Sequence, residues 1–166
     1  MGAKLILVRH AKASHGGMRD QARPLASSGI NQARRVAVSL AERLEGVKPV
    51  VISSPAVRAR TTAAIIAETM GASVEEFSEL YFGDEDDVLR IASNYAPATT
   101  IIVGHSPIIP IAASLIAAGD GANQVATTGC PTATAYIFDV PHDVDTVGYR
   151  SLPLESIIIT RAHPAR

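Results

Sequence analysis

The sequence has one cysteine, no tryptophan, few aromatic residues and almost no net charge, and each scarcity removes a class of protein. Cys130 alone cannot form an internal disulfide, so a cystine-stapled secreted scaffold is excluded, and the count fits a reducing compartment. Its surroundings, T-T-G-C-P-T, carry no cysteine-nucleophile pattern, and the thiol is read as structural or incidental. A formal net charge of −1 speaks against a broad nucleic-acid or membrane-binding surface and makes any positive potential local. The longest apolar run, residues 108–118, is too short for a bilayer, which needs ~20 residues. The apolar stretch before Arg9 is too short for a signal peptide, and Ile6 stands where N-myristoylation at Gly2 would call for Ser or Thr. The expected location is the cytoplasm.

What is present is a chain of 166 residues with 47% hydrophobic and 19% charged side chains, enough to build a core from Val, Ile, Leu and Ala. Residues 1–166 are expected to form one domain, since domains commonly run ~100–200 residues. Residues 5–8, L-I-L-V, have the composition of a strand buried on both faces. Without a spacer they meet Arg9, His10 and then Lys12. Cations at the end of a buried strand lie at a sheet rim, where α/β proteins bind ligands, and a bound anion would offset their burial. The competing reading is a strand end whose charges face water.

Along the chain, residues 13–26 form a loop around H-G-G-M-R-D that holds Arg23-Pro24-Leu25. Ile30, Ala33, Ala37, Leu40, Ala41 and Leu44 then recur at helical spacing until Gly46. A second strand at 49–52 runs into Ser53-Ser54-Pro55, where Ser54 is expected to cap a helix, Pro55 to open it and Arg58 to fall in its first turn. A cation there opposes the helix dipole and again calls for an anion. Residues 74–77 read as a short strand or connector, and Asp84 to Asp87 as a helix start followed by the stripe Val88, Ile91, Ala92, Tyr95; the calcium-loop spacing of an EF-hand is absent.

A third strand at 99–103 leads into Gly104-His105-Ser106-Pro107, with Ser106 and Pro107 expected to start a helix that Gly119 closes. Residues 119–131 read as turns, 132–140 as a strand, 146–152 as its hairpin partner and 160–166 as a frayed tail; His142 sits in the hairpin turn and is given no role. The alternation predicts a three-layer α/β/α domain with a largely parallel central sheet and an antiparallel edge strand.

If those strands are adjacent, Arg9, His10, Arg58 and His105 converge on one rim. Two guanidinium groups and two imidazoles suit a phosphoryl group, whose oxygens accept several hydrogen bonds. There is no phosphate-binding glycine loop, no dinucleotide fingerprint and no metal-ligand spacing, so no cofactor and no metal are expected. A two-His zinc site is a formal alternative that the neighbouring arginines would repel.

L-V-R-H-A-K, S-S-P-x-x-R-A-x-x-T-A and I-I-V-G-H-S-P together resemble the histidine phosphatase superfamily, with its phosphoglycerate-mutase-like fold. Ala11 stands where the first motif normally has glycine. That substitution, with the R-P-L-x-x-x-G segment of Arg23, Pro24, Leu25 and Gly29, is similar to the SixA-type phosphohistidine phosphatases. The resemblance implies that His10 is the nucleophile, that Arg9, Arg58 and His105 hold the phosphoryl oxygens, and that no metal takes part. The implied partner is a phosphorylated substrate, with protein phosphohistidine favoured. The rivals are a phosphatase for small esters such as sugar phosphates and a non-catalytic phosphoryl-binding module; a mutase fits poorly in so short a chain.

Many superfamily members use a carboxylic general acid. Here Glu79 is the first candidate, with Asp84 and Glu85 behind it, each weighed against plain solvated surface. Without an acid, a phosphoramidate remains reactive, because protonated phosphohistidine releases a neutral imidazole whose conjugate acid has a pKa of about 6.5. Arg23 and Lys12 could extend the positive surface as substrate-binding residues, and His15 less so. The sequence does not give the oligomeric state.

Overall fold

A computed structural model describes residues 2–162 of the chain. Six strands, β1 (Ala3–Arg9), β2 (Val50–Ser53), β3 (Val74–Glu76), β4 (Thr100–Gly104), β5 (Ala135–Val140) and β6 (Leu154–Ile158), form one sheet in the order β3-β2-β4-β1-β5-β6. The first four are mutually parallel, β5 is antiparallel to β1, and β6 is antiparallel to β5. The sheet is thus largely parallel, as expected, but its one reversed strand lies one place in from the edge.

The run L-I-L-V explains why β1 is central. Leu5 and Leu7 pack into one apolar cluster while Ile6 and Val8 pack into the other, so the period of two fills both faces. β4 repeats this with Ile102 on one side and Ile101 and Val103 on the other. Helices α1 (Ser27–Leu44) and α2 (Val57–Thr69) cover one face. On the other lie α4 (Glu85–Tyr95), α5 (Ile108–Ile116) and Val125 of α6 (Gly121–Thr128), with a short α3 (Glu79–Phe82) before α4. A single 3-10 turn, Asp20–Ala22, interrupts the loop after β1. Among the described residues no helix is long and apolar enough to cross a membrane.

Four local expectations change. The ladder partner of β5 is β6, not 146–152, because the amides of Arg150, Ser151 and Leu152 are drawn to the free carbonyls of Leu115 and Ile116 at the end of α5. Within the turn-rich 119–131, α6 forms where Gly121 lets the chain pass close to Ala117; a Cβ there would stand 2.7 Å from that of Ala117. The helices after β2 and β4 begin at Val57 and Ile108, so Ser54 and Ser106 lie in turns ahead of them. Of the expected frayed tail, Thr160 is buried and its carbonyl accepts from Gln32 Nε2 at 2.6 Å, while residues 163–166 lie outside the described residues. The start of α4 is as read: Asp84 accepts from the amides of Asp86 and Asp87, and Asp87 accepts from the amide of Asp84.

Candidate active site

The ladder registers bring the strand ends together. Arg9 pairs with Gly104 and Ser53 with Val103, so His10, Ser54 and His105 each follow the last paired residue of three neighbouring parallel strands. The His10 amide donates to Gly104 O and the Ser54 amide to Val103 O, both at 3.0 Å, which extends the ladder into the site. Gly104 is closely packed here: a Cβ would stand 3.1 Å from the Ile109 side chain, which would have to give way. Arg58, from the first turn of α2, reaches the same place. A cavity of about 560 Å³ opens here, and Arg9, His10, Arg58 and His105 all line it.

His10 is buried and its Nδ1 lies 2.7 Å from Ala11 O. A carbonyl can only accept, so Nδ1 carries the proton and Nε2 is left with its lone pair. Arg58 Nε donates to that Nε2 at 3.3 Å. Burial, then the charges of His105, Arg58 and Arg9, push the His10 pKa down to about 3 against the opposing pull of the Ala11 carbonyl. Burial first, then the charge of Arg58, lower that of His105 to about 4. Both rings are therefore neutral at physiological pH, with centroids 5.3 Å apart. Arg9 donates through Nη1 to Cys130 O at 2.8 Å. Two buried nitrogens, Arg9 Nε and His105 Nδ1, have no hydrogen-bond partner among the described residues, and both belong to side chains on the cavity wall. Buried polar nitrogens without partners are uncommon, and an anion in this cavity would satisfy a guanidinium donor such as Arg9 Nε.

A second group stands at the mouth. Asp20 accepts from Arg58 Nη2 at 3.0 Å and from the Tyr81 hydroxyl at 2.7 Å, its backbone carbonyl accepts from Arg58 Nη1 at 2.8 Å, and Arg23 Nε donates to Oδ1 at 3.2 Å. The Tyr81 hydrogen bond, then Arg58 and Arg23, hold the carboxyl pKa at about 2 despite some desolvation. Among the described residues Asp20 is the one carboxylate lining the cavity.

The profile of the histidine phosphatase superfamily, branch 1, matches residues 5–88, which contain Arg9, His10 and Arg58. The chain belongs to the histidine phosphatase superfamily. With that membership it is a phosphatase, and so a hydrolase. No curated protein matches the sequence. Among solved structures it is similar to a candidate phosphohistidine phosphatase SixA from Agrobacterium tumefaciens, at 22% identity and TM-score 0.81 over 97% of this chain and 100% of that one. A candidate SixA from Nakamurella multipartitia follows at 24% identity and TM-score 0.79, covering 96% of this chain and 97% of that one. The protein histidine phosphatase SixA complexed with tungstate is 18% identical, with TM-score 0.75 over 93% and 96% of the two chains. At these identities the likeness is one of fold, and it is the phosphoglycerate-mutase-like fold expected of the superfamily.

Set against that family, the site holds more than its sequence motifs. Lys12, exposed, and Arg23, partly buried, both line the mouth, as does His15. Glu79 does not line the cavity: it opens α3, close enough to Arg90 to help raise the pKa of that side chain. Asp84 and Glu85 are taken up by the start of α4. The carboxylate that does reach the cavity, Asp20, lies in the loop around H-G-G-M-R-D without a role assigned from sequence, and Tyr81 of α3 likewise has none. The available signal was the spacing D-x-x-R-P-L, which puts Asp20 one turn before Arg23. Two structural roles also emerge. Thr62 accepts from the Ala11 amide at 3.0 Å and donates to Arg58 O at 2.8 Å, tying the loop after His10 to α2. Gly29 is required because any Cβ would stand 2.0 Å from Lys12 O.

Proposed function

We propose that the protein is a metal-independent phosphatase in which His10 is the nucleophile and the substrate is a phosphohistidine carried by a protein. His10 Nε2 attacks phosphorus with its lone pair while the phosphorus–nitrogen bond of the substrate breaks, and the electron pair of that bond leaves with the substrate imidazole. Arg9, Arg58 and His105 receive the phosphoryl oxygens, so negative charge in the transfer meets donors already in position. Water then attacks phosphorus, releasing inorganic phosphate and restoring neutral His10. The low pKa of His10 supports this reading, since the nucleophile needs no base to deprotonate it.

The observation that carries the choice of substrate is the state of Asp20. Asp20 accepts from Arg23, Arg58 and the Tyr81 hydroxyl, and these donors hold its carboxyl ionised, without a proton to give a leaving alkoxide. An alkyl phosphate needs that proton. A phosphohistidine protonated on its other ring nitrogen leaves as neutral imidazole and does not. The similar folds of phosphohistidine phosphatases support this choice.

The test is hydrolysis of a phosphohistidine protein beside p-nitrophenyl phosphate and a sugar phosphate, in EDTA, with a His10→Ala control. Rapid loss of phosphohistidine, absent from the control and slow for the sugar phosphate, is the expected result. Preference for the sugar phosphate would replace phosphohistidine by a small ester. Tight phosphate binding with no turnover of any substrate would make the protein a binding module.

A further inference from the structure

The two site imidazoles are held by different partners. His10 Nδ1 faces a carbonyl, which settles its proton. His105 Nε2 faces the hydroxyl of Ser54 at 2.8 Å, a group able to donate or accept. The surroundings of that hydroxyl remove the choice. Ser54 is wholly buried, and among the described residues its Oγ has one other hydrogen-bonding neighbour, the Ala56 amide at 3.2 Å. An amide can only donate, so it takes an Oγ lone pair and leaves the hydroxyl hydrogen in need of an acceptor. If His105 carried its proton on Nε2, Ser54 would accept twice and bury a hydroxyl hydrogen without a partner. At the same time Nδ1 would be a bare buried acceptor with no donor among the described residues. If Ser54 donates to Nε2, every group in the chain of bonds is satisfied, and the one remaining donor is Nδ1–H.

We propose that Ser54 is a positioning residue: its hydroxyl donates to His105 Nε2, holds the imidazole proton on Nδ1, and so makes Nδ1–H a neutral donor to a phosphoryl oxygen. This rests on the reading of the cavity as a phosphatase site. It gives two neighbouring histidines opposite tautomers, with His10 presenting a lone pair to phosphorus and His105 presenting a hydrogen to its oxygen. It also accounts for a serine in the turn that is not the helix cap. The Ser53 hydroxyl, donating to Ser54 O at 2.8 Å, steadies the same turn from behind.

The deciding measurement is a two-bond proton–nitrogen correlation spectrum of the full chain labelled with nitrogen-15 in histidine, with His105 assigned by His105→Gln. The expected spectrum has the His105 proton on Nδ1. In Ser54→Ala the single tautomer is lost and kcat/KM for p-nitrophenyl phosphate falls roughly tenfold to a hundredfold, the scale of one orienting hydrogen bond. Ser54→Thr, which keeps the hydroxyl, retains the tautomer. A proton on Nε2 in the unmodified protein overturns the proposal, as does an unchanged tautomer in Ser54→Ala. Should Ser54→Ala not fold, the unmodified spectrum still decides. Absence of phosphatase turnover in the unmodified protein would instead sink the functional reading, and the tautomer would remain readable.

Discussion

The floor and the mouth of the cavity are built on different principles. On the floor, polar atoms are held by backbone groups and one buried hydroxyl: His10 by Ala11 O and Gly104 O, Arg9 by Cys130 O, and His105 by Ser54 Oγ. At the mouth, Asp20, Arg23 and Tyr81 are held largely by one another, on a loop and a short helix. The exposure of the Arg58–Asp20 ion pair that links the two makes the contrast concrete: the Arg58 side chain is 7% exposed and that of its partner Asp20 is 54%. Buried charge is expensive to leave unpaired, whereas an ion pair in water is worth at most ~1 kcal/mol. The floor is therefore suited to chemistry that tolerates no displacement, and the mouth to contacts that loop substitutions can retune.

The contrast breaks first if the floor proves dispensable. His10→Ala should lower turnover by more than about 10⁴-fold, as removal of a nucleophile does elsewhere, and abolish the phosphorylated protein seen by rapid quenching. Residual turnover near the unmodified rate would remove His10 from the chemistry. Arg58→Ala should cost about 10²- to 10³-fold in kcat/KM, with Arg58→Lys recovering only part, because a lysine lacks the planar set of donors. Steady-state kinetics beside phosphate inhibition would show this.

A third expectation concerns acid. His10 and His105 have folded pKa values of about 3 and about 4, below their ordinary value of 6.5. Between those values and pH 6.5 the unfolded chain binds more protons than the folded one. Their contribution is thus fully present above pH 6.5 and is lost as pH falls toward 3. Melting curves should fall on acidification from pH 7 to pH 4, and less steeply in His105→Gln. Equal slopes in the two proteins would show that burial of these rings does not set the acid response.

The mouth should respond weakly. Arg23→Ala should raise KM by up to about fivefold with kcat little changed, the scale of a partly exposed ion pair. Asp20→Asn should alter kcat/KM for phosphohistidine by less than about tenfold and leave the alkaline side of the pH profile in place. Loss of an alkaline limb in that variant would make Asp20 a proton donor after all and erase the distinction between the two regions. Glu79→Gln, outside the cavity, should leave kcat/KM unchanged for every substrate tested.

The division between floor and mouth is also the division between what could be read from residues and what could not. Apolar runs that stop abruptly at Arg9, Ser53 and Gly104 identify buried parallel strands, because only a strand covered on both faces needs such composition, and the cations at their ends follow from chain continuity. Asp20 and Tyr81 lie 61 residues apart in sequence and meet through one hydrogen bond across a loop. No periodicity encodes such a contact. Glu79, beside the right helix in sequence, falls outside the cavity because neighbouring residues of a helix point in different directions. The partner of β5 was misplaced for a related reason: residues 146–152 alternate well enough for a strand, but the unsatisfied end of α5 claims their amides first.

The sequence by itself determined the buried parallel strands, the strand ends that carry Arg9, His10 and His105, and the helix turn that carries Arg58, since each follows from local composition and the direction of the chain. Only the tertiary structure decided the strand order that makes those ends adjacent, the carboxylate that faces them and the partner that faces each imidazole. Those depend on distances between residues far apart in the chain, and such distances exist only once the two apolar faces of the sheet have been covered.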